Sequence, residues 1–369
     1  MKKILQYGIV LFLCMIFGIN ISSNNCKASE GLQYQIRSVS WNSVTVTVNF
    51  PSDSTYNDIE IGDVSSNTGA VRLYKHPQKG VGTFTFSDLS SPDYIYYIMI
   101  HYDDNQYAYF PIRTLAIPES NHFQLMLDYE QYLRYNITYH NLVRWLGHLD
   151  KAYDLYAELV GYCPDEGRKI KIMASEEDYG DMWIDSRSTN IYWNHNSIVP
   201  TLRRINYQDD WSFGALHEIG HLFDPDNTWN FDGEFFANFK MAYVLFKNDN
   251  NFRVFVGNRW ITNYRSLIDY YCEGYSDSIN GYPQKYSNDG LTYMFLNLID
   301  LYGSWDSVKA AFHDYINEYP NNNKPSFTDF INKISKHGTN NIDFASMFRN
   351  YYSYNYIFVL NHFYDQGIN

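Results

Sequence analysis

Trp211-Ser-Phe-Gly-Ala-Leu-His217-Glu218-Ile-Gly-His221-Leu-Phe-Asp-Pro225 decides how the rest of this 369-residue chain is read. The stretch contains His-Glu-x-x-His. On an α-helix, residues four apart lie on one face, so His217 and His221 can aim two imidazoles at one cation. Glu218, about 100° round the helix from His217, falls beside that cation and can accept a proton from water there. Zinc in a hydrolase keeps three protein ligands and leaves a fourth position open. A third ligand must therefore come from outside the motif. The pentapeptide is common enough by chance that its surroundings have to support the reading. The alternative is a buried structural helix with two satisfied histidines. Leu216, Ile219, Leu222 and Phe223 supply the buried surface that an active-site helix needs. Pro225 ends it, because the residue before a proline is pushed out of the α region.

The carboxylates that follow are Asp224, Asp226, Asp232 and Glu234. Asp224 and Asp226 flank Pro225 and read as turn residues. Glu234 opens a second helix, capped by Asp232-Gly233, with Asn238 one turn on along the same face. Phe235, Phe236, Phe239 and Tyr243 pack that helix elsewhere. Laid across the first helix, it can offer the Glu234 carboxylate to the metal, and Asn238 can steady a ligand from behind. The plainer alternative for Glu234 is an acid favoured by the positive end of a helix dipole. The long metzincin pattern fails, since Asp224 and Asn227 stand where it needs Gly and then His or Asp. The expected set is Zn2+ on His217, His221 and Glu234, with Glu218 as general base. A further donor should stabilise the oxyanion. Tyr293, His195 and Tyr192 are candidates among which the sequence does not choose.

These residues resemble the enhancin-like metallopeptidases, family sixty, of the gluzincin type. The pattern there is HExxH, a Trp, a ligand Glu after a variable gap, and an Asn four residues later. Here it reads His217-Glu218-Ile-Gly-His221, then Trp229, then Gly233-Glu234-Phe-Phe-Ala-Asn238. Leu296-Asn-Leu-Ile-Asp-Leu-Tyr-Gly-Ser-Trp-Asp-Ser-Val308 and the stretch from Phe327 to Tyr351 look like the family's helical tail. The resemblance covers roughly residues 120–352. It departs from the family at Leu222-Phe223-Asp224, where members often carry a polar stretch, and this bears on the substrate subsite. The resemblance implies a secreted zinc endopeptidase. Members often act on mucins and other host glycoproteins, some requiring a glycan beside the scissile bond.

Composition narrows the partners. The net charge is −13 and no Lys/Arg cluster occurs, which disfavours a nucleic-acid binder. Lys2 and Lys3 precede an apolar run from Ile9 to Ile19, and Ala28 offers a small residue for cleavage. Residues 1–28 therefore read as a secretory signal, and the mature protein as extracellular and monomeric, with a protein or glycoprotein substrate. Nothing later is long and apolar enough to span a bilayer. Cys163 and Cys272 can form one disulfide in an exported protein or remain two buried thiols. Tyrosine is abundant, with 36 copies. Exposed copies could stack on sugars or line a peptide groove; ordinary packing explains them as well.

The fold class expected is α+β. A zincin-like metallopeptidase domain with a helical C-terminal part occupies 117–369, preceded at 29–116 by a small all-β, sandwich-like accessory domain. Val44, Val46, Val48 and Phe50 alternate strictly with polar residues, and Thr83–Phe86, Tyr94–Ile100 and Gln106–Phe110 follow as strands. From His140 to Val160 the period turns helical, with Leu142, Leu146, Leu149, Tyr153, Tyr156 and Val160 on one stripe. Lys169–Ile172 reads as a strand, and Met182–Asp185 with Asn190–Trp193 as a hairpin. Helices are expected at Glu234–Phe246, Leu291–Tyr302, Trp305–Tyr315, Phe327–Lys336 and Ile342–Tyr351. Two rivals stay open. One is an exopeptidase with the same metal set. The other is a non-catalytic secreted adhesin or glycan-binding protein with a structural zinc, although such a site is normally closed by a fourth ligand, often Cys.

Overall fold

The structure is a computed structural model. It describes residues 26–27, 32–41, 43–50, 58–62, 73–75, 80–87, 89, 95–103, 106–127, 137–164, 168–177, 179–184, 189–224, 233–279, 283–302, 304–318, 327–338 and 346. The chain divides into two compact units, residues 1–117 with 128–130, and residues 118–127 with 131–369.

The first unit is built from strands. β1 (Cys26–Lys27), β2 (Gln33–Val39), β3 (Val44–Asn49), β4 (Asp58–Gly62), β5 (Leu73–Lys75), β6 (Val81–Phe86), β7 (Ile95–Asp103) and β8 (Gln106–Arg113) form two sheets. Their orders are β1-β2-β3-β6 and β5-β4-β7-β8, with every pairing antiparallel. The alternation in β3 works as period two requires. Val44, Val46 and Val48 are fully buried. Thr45 and Thr47 face the other way and bond Thr85 and Thr83 on β6 at 3.0 and 2.9 Å. Ile59, Ile61, Ile98 and Ile100 from the second sheet join the same apolar cluster as the β3 valines. β1 falls inside the stretch expected as a signal, and the apolar run Ile9–Ile19 lies outside the described residues.

The second unit opens with β9 (Phe123–Met126) and α1 (Tyr139–Val160), then β10 (Ile170–Ser175), β11 (Met182–Ile184) and β12 (Ile191–Asn194). The sheet order is β11-β12-β10-β9. β9, β10 and β12 run parallel, and β11 is antiparallel to β12 at the edge. Next come α2 (His195–Gln208), α3 (Phe213–Leu222) and α4 (Gly233–Lys247). A small hairpin of β13 (Val254–Val256) and β14 (Arg259–Ile261) follows. The chain continues as α5 (Tyr264–Ile279), α6 (Pro283–Tyr302), α7 (Trp305–Glu318) and α8 (Phe327–His337). The fold is α+β. α1 carries the expected stripe, is capped by Thr138 through its side chain, and ends at Gly161 with φ 78°, a left-handed C-cap that suits glycine.

Strands β1, β2, β4, β5 and β9, helices α2 and α5 and the β13–β14 hairpin were not anticipated. α2 contains Pro200, which removes a helix hydrogen bond and reads as a breaker. α6 starts earlier than expected, at Pro283, whose fixed φ suits the first helical position. The helix expected at Ile342–Tyr351 lies outside the described residues apart from Ser346. Cys163 and Cys272 are free thiols; Cys163 is exposed and Cys272 half-buried, so they are neither a disulfide nor two buried thiols. No described helix is long and apolar enough to cross a membrane.

Candidate metal centre

α3 is fixed at its start before it presents a side chain. Ser212 caps it, with Oγ accepting from the Ala215 N–H, and holds φ 64°, ψ 100°. The Ser212 N–H donates to Asp210 Oδ1 at 2.9 Å, and the other Asp210 oxygen pairs with Arg204 at 2.9 Å. From α1, Trp145 Nε1 donates to the Trp211 carbonyl at 3.1 Å and the Tyr156 hydroxyl to the Leu216 carbonyl at 2.7 Å. Both rings are buried, so these bonds form where water cannot compete. The second holds the carbonyl immediately before His217.

α3 then crosses α4 at close range. A Cβ added at Gly220 would stand 3.0 Å from the Ala237 carbonyl oxygen and 3.1 Å from its Cα. Glycine inside the His-Glu-x-x-His motif therefore lets the two backbones meet. That crossing brings Glu234, in the first turn of α4, to the histidine pair. His217 Nε2 is 2.9 Å from Glu234 Oε2 and 3.1 Å from His221 Nε2. His221 Nε2 is 3.4 Å from Glu234 Oε1. These three residues form the group able to hold a metal among the described residues. Zinc with arms of about 2.1 Å in a tetrahedron sets its ligand atoms about 3.4 Å apart, so two nitrogens and a carboxylate at these separations suit it. The histidines are largely buried while Glu234 is 58% exposed, so the group opens to solvent on the carboxylate side.

The charges follow from this packing. Hydrogen bonds from His217 and His221 hold the Glu234 carboxyl well below the usual range. Burial disfavours the charged form of His217, but the bond to Glu234 and the negative charges of Glu218 and Glu234 outweigh it, and its pKa is raised. Glu218 is buried, and burial raises its pKa against the opposing pull of His217 and His221. The Ile184 N–H, on edge strand β11, donates to its carboxylate. Glu218 is thus held between helix and sheet, with raised proton affinity, beside the His-His-Glu group.

Behind the group, Asn238 Oδ1 lies 2.9 Å from His217 Nδ1 and can accept from it, while Nε2 of the same ring meets the Glu234 carboxylate. Asn238 Nδ2 donates to Asp289 Oδ1 on α6 at 3.5 Å. Asp289 was not anticipated. Nor was Lys240, fully buried on α4 and paired with Asp224. Asp224 is therefore the counter-ion of a buried lysine as well as the residue after the α3 C-cap. The signal for it was in the sequence: a lysine inside the apolar run Phe235–Leu245 has to find an anion. Asp226, Trp229 and Asp232 lie outside the described residues.

Each of the oxyanion candidates has contacts of its own. Tyr293 packs on Tyr275 and bonds Cys272 on α5, and burial followed by that bond raises its hydroxyl to about 12. The Tyr192 ring stacks on Trp183 across β11 and β12. His195 Nδ1 lies 3.3 Å from Glu176.

No protein-family model matches the chain, and no curated protein matches it in sequence. Solved structures similar to it include a mutant of a functionally unknown conserved protein from Bacillus anthracis str. Ames, at TM-score 0.45 and 13% identity over 86% of this chain and 68% of that one. They also include a metallopeptidase in complex with Tn antigen, at TM-score 0.42 and 12% identity over 81% of this chain and 63% of that one. A metallopeptidase from Bacteroides thetaiotaomicron is similar at TM-score 0.41 and 12% identity, over 81% of this chain and 57% of that one.

Proposed function

We propose that this chain is an exported zinc endopeptidase of the enhancin-like type that hydrolyses peptide bonds in extracellular proteins, host glycoproteins such as mucins among them. The observation that supports it best is the convergence of His217, His221 and Glu234, from two crossing helices, beside the buried carboxylate of Glu218. The glycoprotein substrate and the export follow from the motif resemblance and the N-terminal sequence.

His217 and His221 through Nε2, and Glu234 through its carboxylate, would hold the zinc. When bound, zinc supplies Lewis-acid polarisation of a carbonyl and acidification of water. Glu218 takes the proton from the attacking water at a carboxylate oxygen and passes it to the leaving amine. Its raised proton affinity suits both halves of that transfer, since a carboxyl with an ordinary pKa is a poor acid at neutral pH. The Ile184 N–H keeps the carboxylate from turning away. The outer edge of β11 runs beside Glu218, and an extended peptide can add to that edge as a further strand.

The test is digestion of a glycosylated mucin and its deglycosylated form, with and without chelator, followed by mapping of the cut sites. Internal cleavage that chelator abolishes and zinc restores supports the reading. Release of terminal residues only points to an exopeptidase, and zinc binding without cleavage of either substrate overturns the enzymatic assignment.

A further inference from the structure

The carboxylate of Asp289 has no part in the mechanism above, yet it is half-buried two side chains behind the metal group. It sits on α6, where α5 presses against it. A Cβ built at Gly274 would fall 2.6 Å from the Asp289 Cβ and 3.3 Å from its Oδ2. Burial raises its carboxyl to about 6, and the positive charge of His217 opposes the rise, so it is ionised at neutral pH. An ionised carboxylate only accepts hydrogen bonds, and the group facing it is the Asn238 amide nitrogen.

We propose that Asp289 is a positioning residue that fixes which way the Asn238 amide faces and, through it, which tautomer His217 adopts. The two ends of an asparagine amide are nearly equal in shape, so packing alone does not choose between them. With Oδ1 toward His217, the amide accepts from Nδ1–H, and the lone pair of Nε2 is left for a metal. Turned over, the amide N–H₂ demands the lone pair on Nδ1, moves the ring proton to Nε2 and blocks ligation. The turned amide would also aim its oxygen at the Asp289 carboxylate, setting two acceptors against each other. Asp289 therefore removes the wrong orientation, and Gly274 gives it the room to stand there.

The consequence for zinc rests on the function proposed above, but the test does not depend on it. Nitrogen resonances of the histidine rings are recorded on the metal-free protein in a Glu234→Ala background, which removes the carboxylate that otherwise holds a proton on Nε2, at a pH that keeps His217 neutral, without further change and with Asp289→Leu, Asp289→Asn or Asn238→Leu. Zinc affinity is measured for the same changes with Glu234 in place. Asp289→Leu should shift His217 toward the Nε2–H tautomer and weaken zinc about tenfold. Asp289→Asn keeps the shape but can present its own N–H₂ to Asn238, so it should show the same shift and decides the matter if the leucine variant does not fold. In the Asn238→Leu background, either change should have no further effect on the ring or on zinc. Unchanged His217 resonances and affinity in the Asp289 variants overturn the inference. So does an effect that persists in full without Asn238, since Asp289 would then act by another route. A wild-type chain that takes up no zinc overturns the proposed function, while the ring spectra still decide the role of Asp289.

Discussion

Glu218 and Asp289 are carboxyls that burial pushes in the same direction, and they differ in what faces them. Glu218 has the open side of the histidine pair before it, so its proton can leave and return. Glu218→Gln keeps the shape and the backbone bond but cannot accept a proton. It should retain zinc at full stoichiometry while turnover falls by about 10²–10⁴, as metal analysis beside peptide cleavage would show. Asp289 faces an amide, so its raised pKa shows in stability. Its folded pKa of about 6 lies above the ordinary 3.8. The stability it contributes is therefore fully present below 3.8 and lost as pH rises through about 6. Asp289→Asn has no such loss. Denaturant titrations of the metal-free proteins should show the variant gaining on the wild type between pH 4 and pH 6.5, roughly the window those two pKa values define. Legibility at this scale depended on sequence distance. His217, Glu218 and His221 announce themselves by local spacing, and Glu234 and Asn238 by being one turn apart on the next helix. Asp289 stands some fifty residues further on, in a helix with no pattern that points back to α4, and only the contact with Asn238 reveals it.

The crossing of α3 and α4 sets the distance between the histidines and Glu234, and two features hold it. At Gly220 the backbones touch through the absence of a side chain. Gly220→Ala must move Ala237 by a few tenths of an ångström or more, and overpacking of this kind costs about 1–3 kcal/mol. Because the shift falls between the ligand-bearing segments, zinc affinity should drop along with thermal stability; full affinity in a destabilised variant would separate the two roles. At the far side, Lys240 and Asp224 tie α4 to the end of α3. Burial lowers the Lys240 pKa, and Asp224 opposes the fall. Lys240→Met leaves a carboxylate without its counter-ion and should cost about 3–5 kcal/mol. The double change with Asp224→Leu should recover most of that in a denaturant melt. Elements with a strict period, such as β3 and α1, were legible from spacing. α2 was hidden by Pro200. α4 is buried from Phe235 to Leu245 without a break, so its apolar residues mark no face, and only Glu234 and Asn238 indicated the side that meets α3.

At the scale of the whole molecule, the β-rich unit has its own apolar cluster, and the His-His-Glu group lies in the other unit. A ligand that binds only folded protein stabilises the part that folds to bind it, by about 2.7 kcal/mol at a hundred times its Kd. Zinc should therefore raise the melting transition seen in the helical circular-dichroism signal and leave that of the β unit in place, and Glu234→Ala should abolish the shift. The change from period two to period 3.6 between Phe110 and His140 is visible in the sequence because each period is local. How α6, α7 and α8 gather on α4 is not, because Phe295, Phe312 and Phe330 meet Phe236 or Phe239 through contacts that no spacing encodes.

The entry to α3 has a consequence for descent. Asp209 and Ser212 both hold positive φ, in the four residues that join α2 to α3. Side chains other than glycine pay on the order of 1–3 kcal/mol for such backbone. Glycine would hold both backbones at ease; at Asp209 it would give up half-exposed pairs with Arg144 and His148, which are worth little, and at a helix N-cap it is only slightly worse than serine. The turn is thus a reserve of untapped robustness: a lineage moving to a hotter habitat can draw on it by drift in this connection while the histidines, their carboxylate and the base stay as they are.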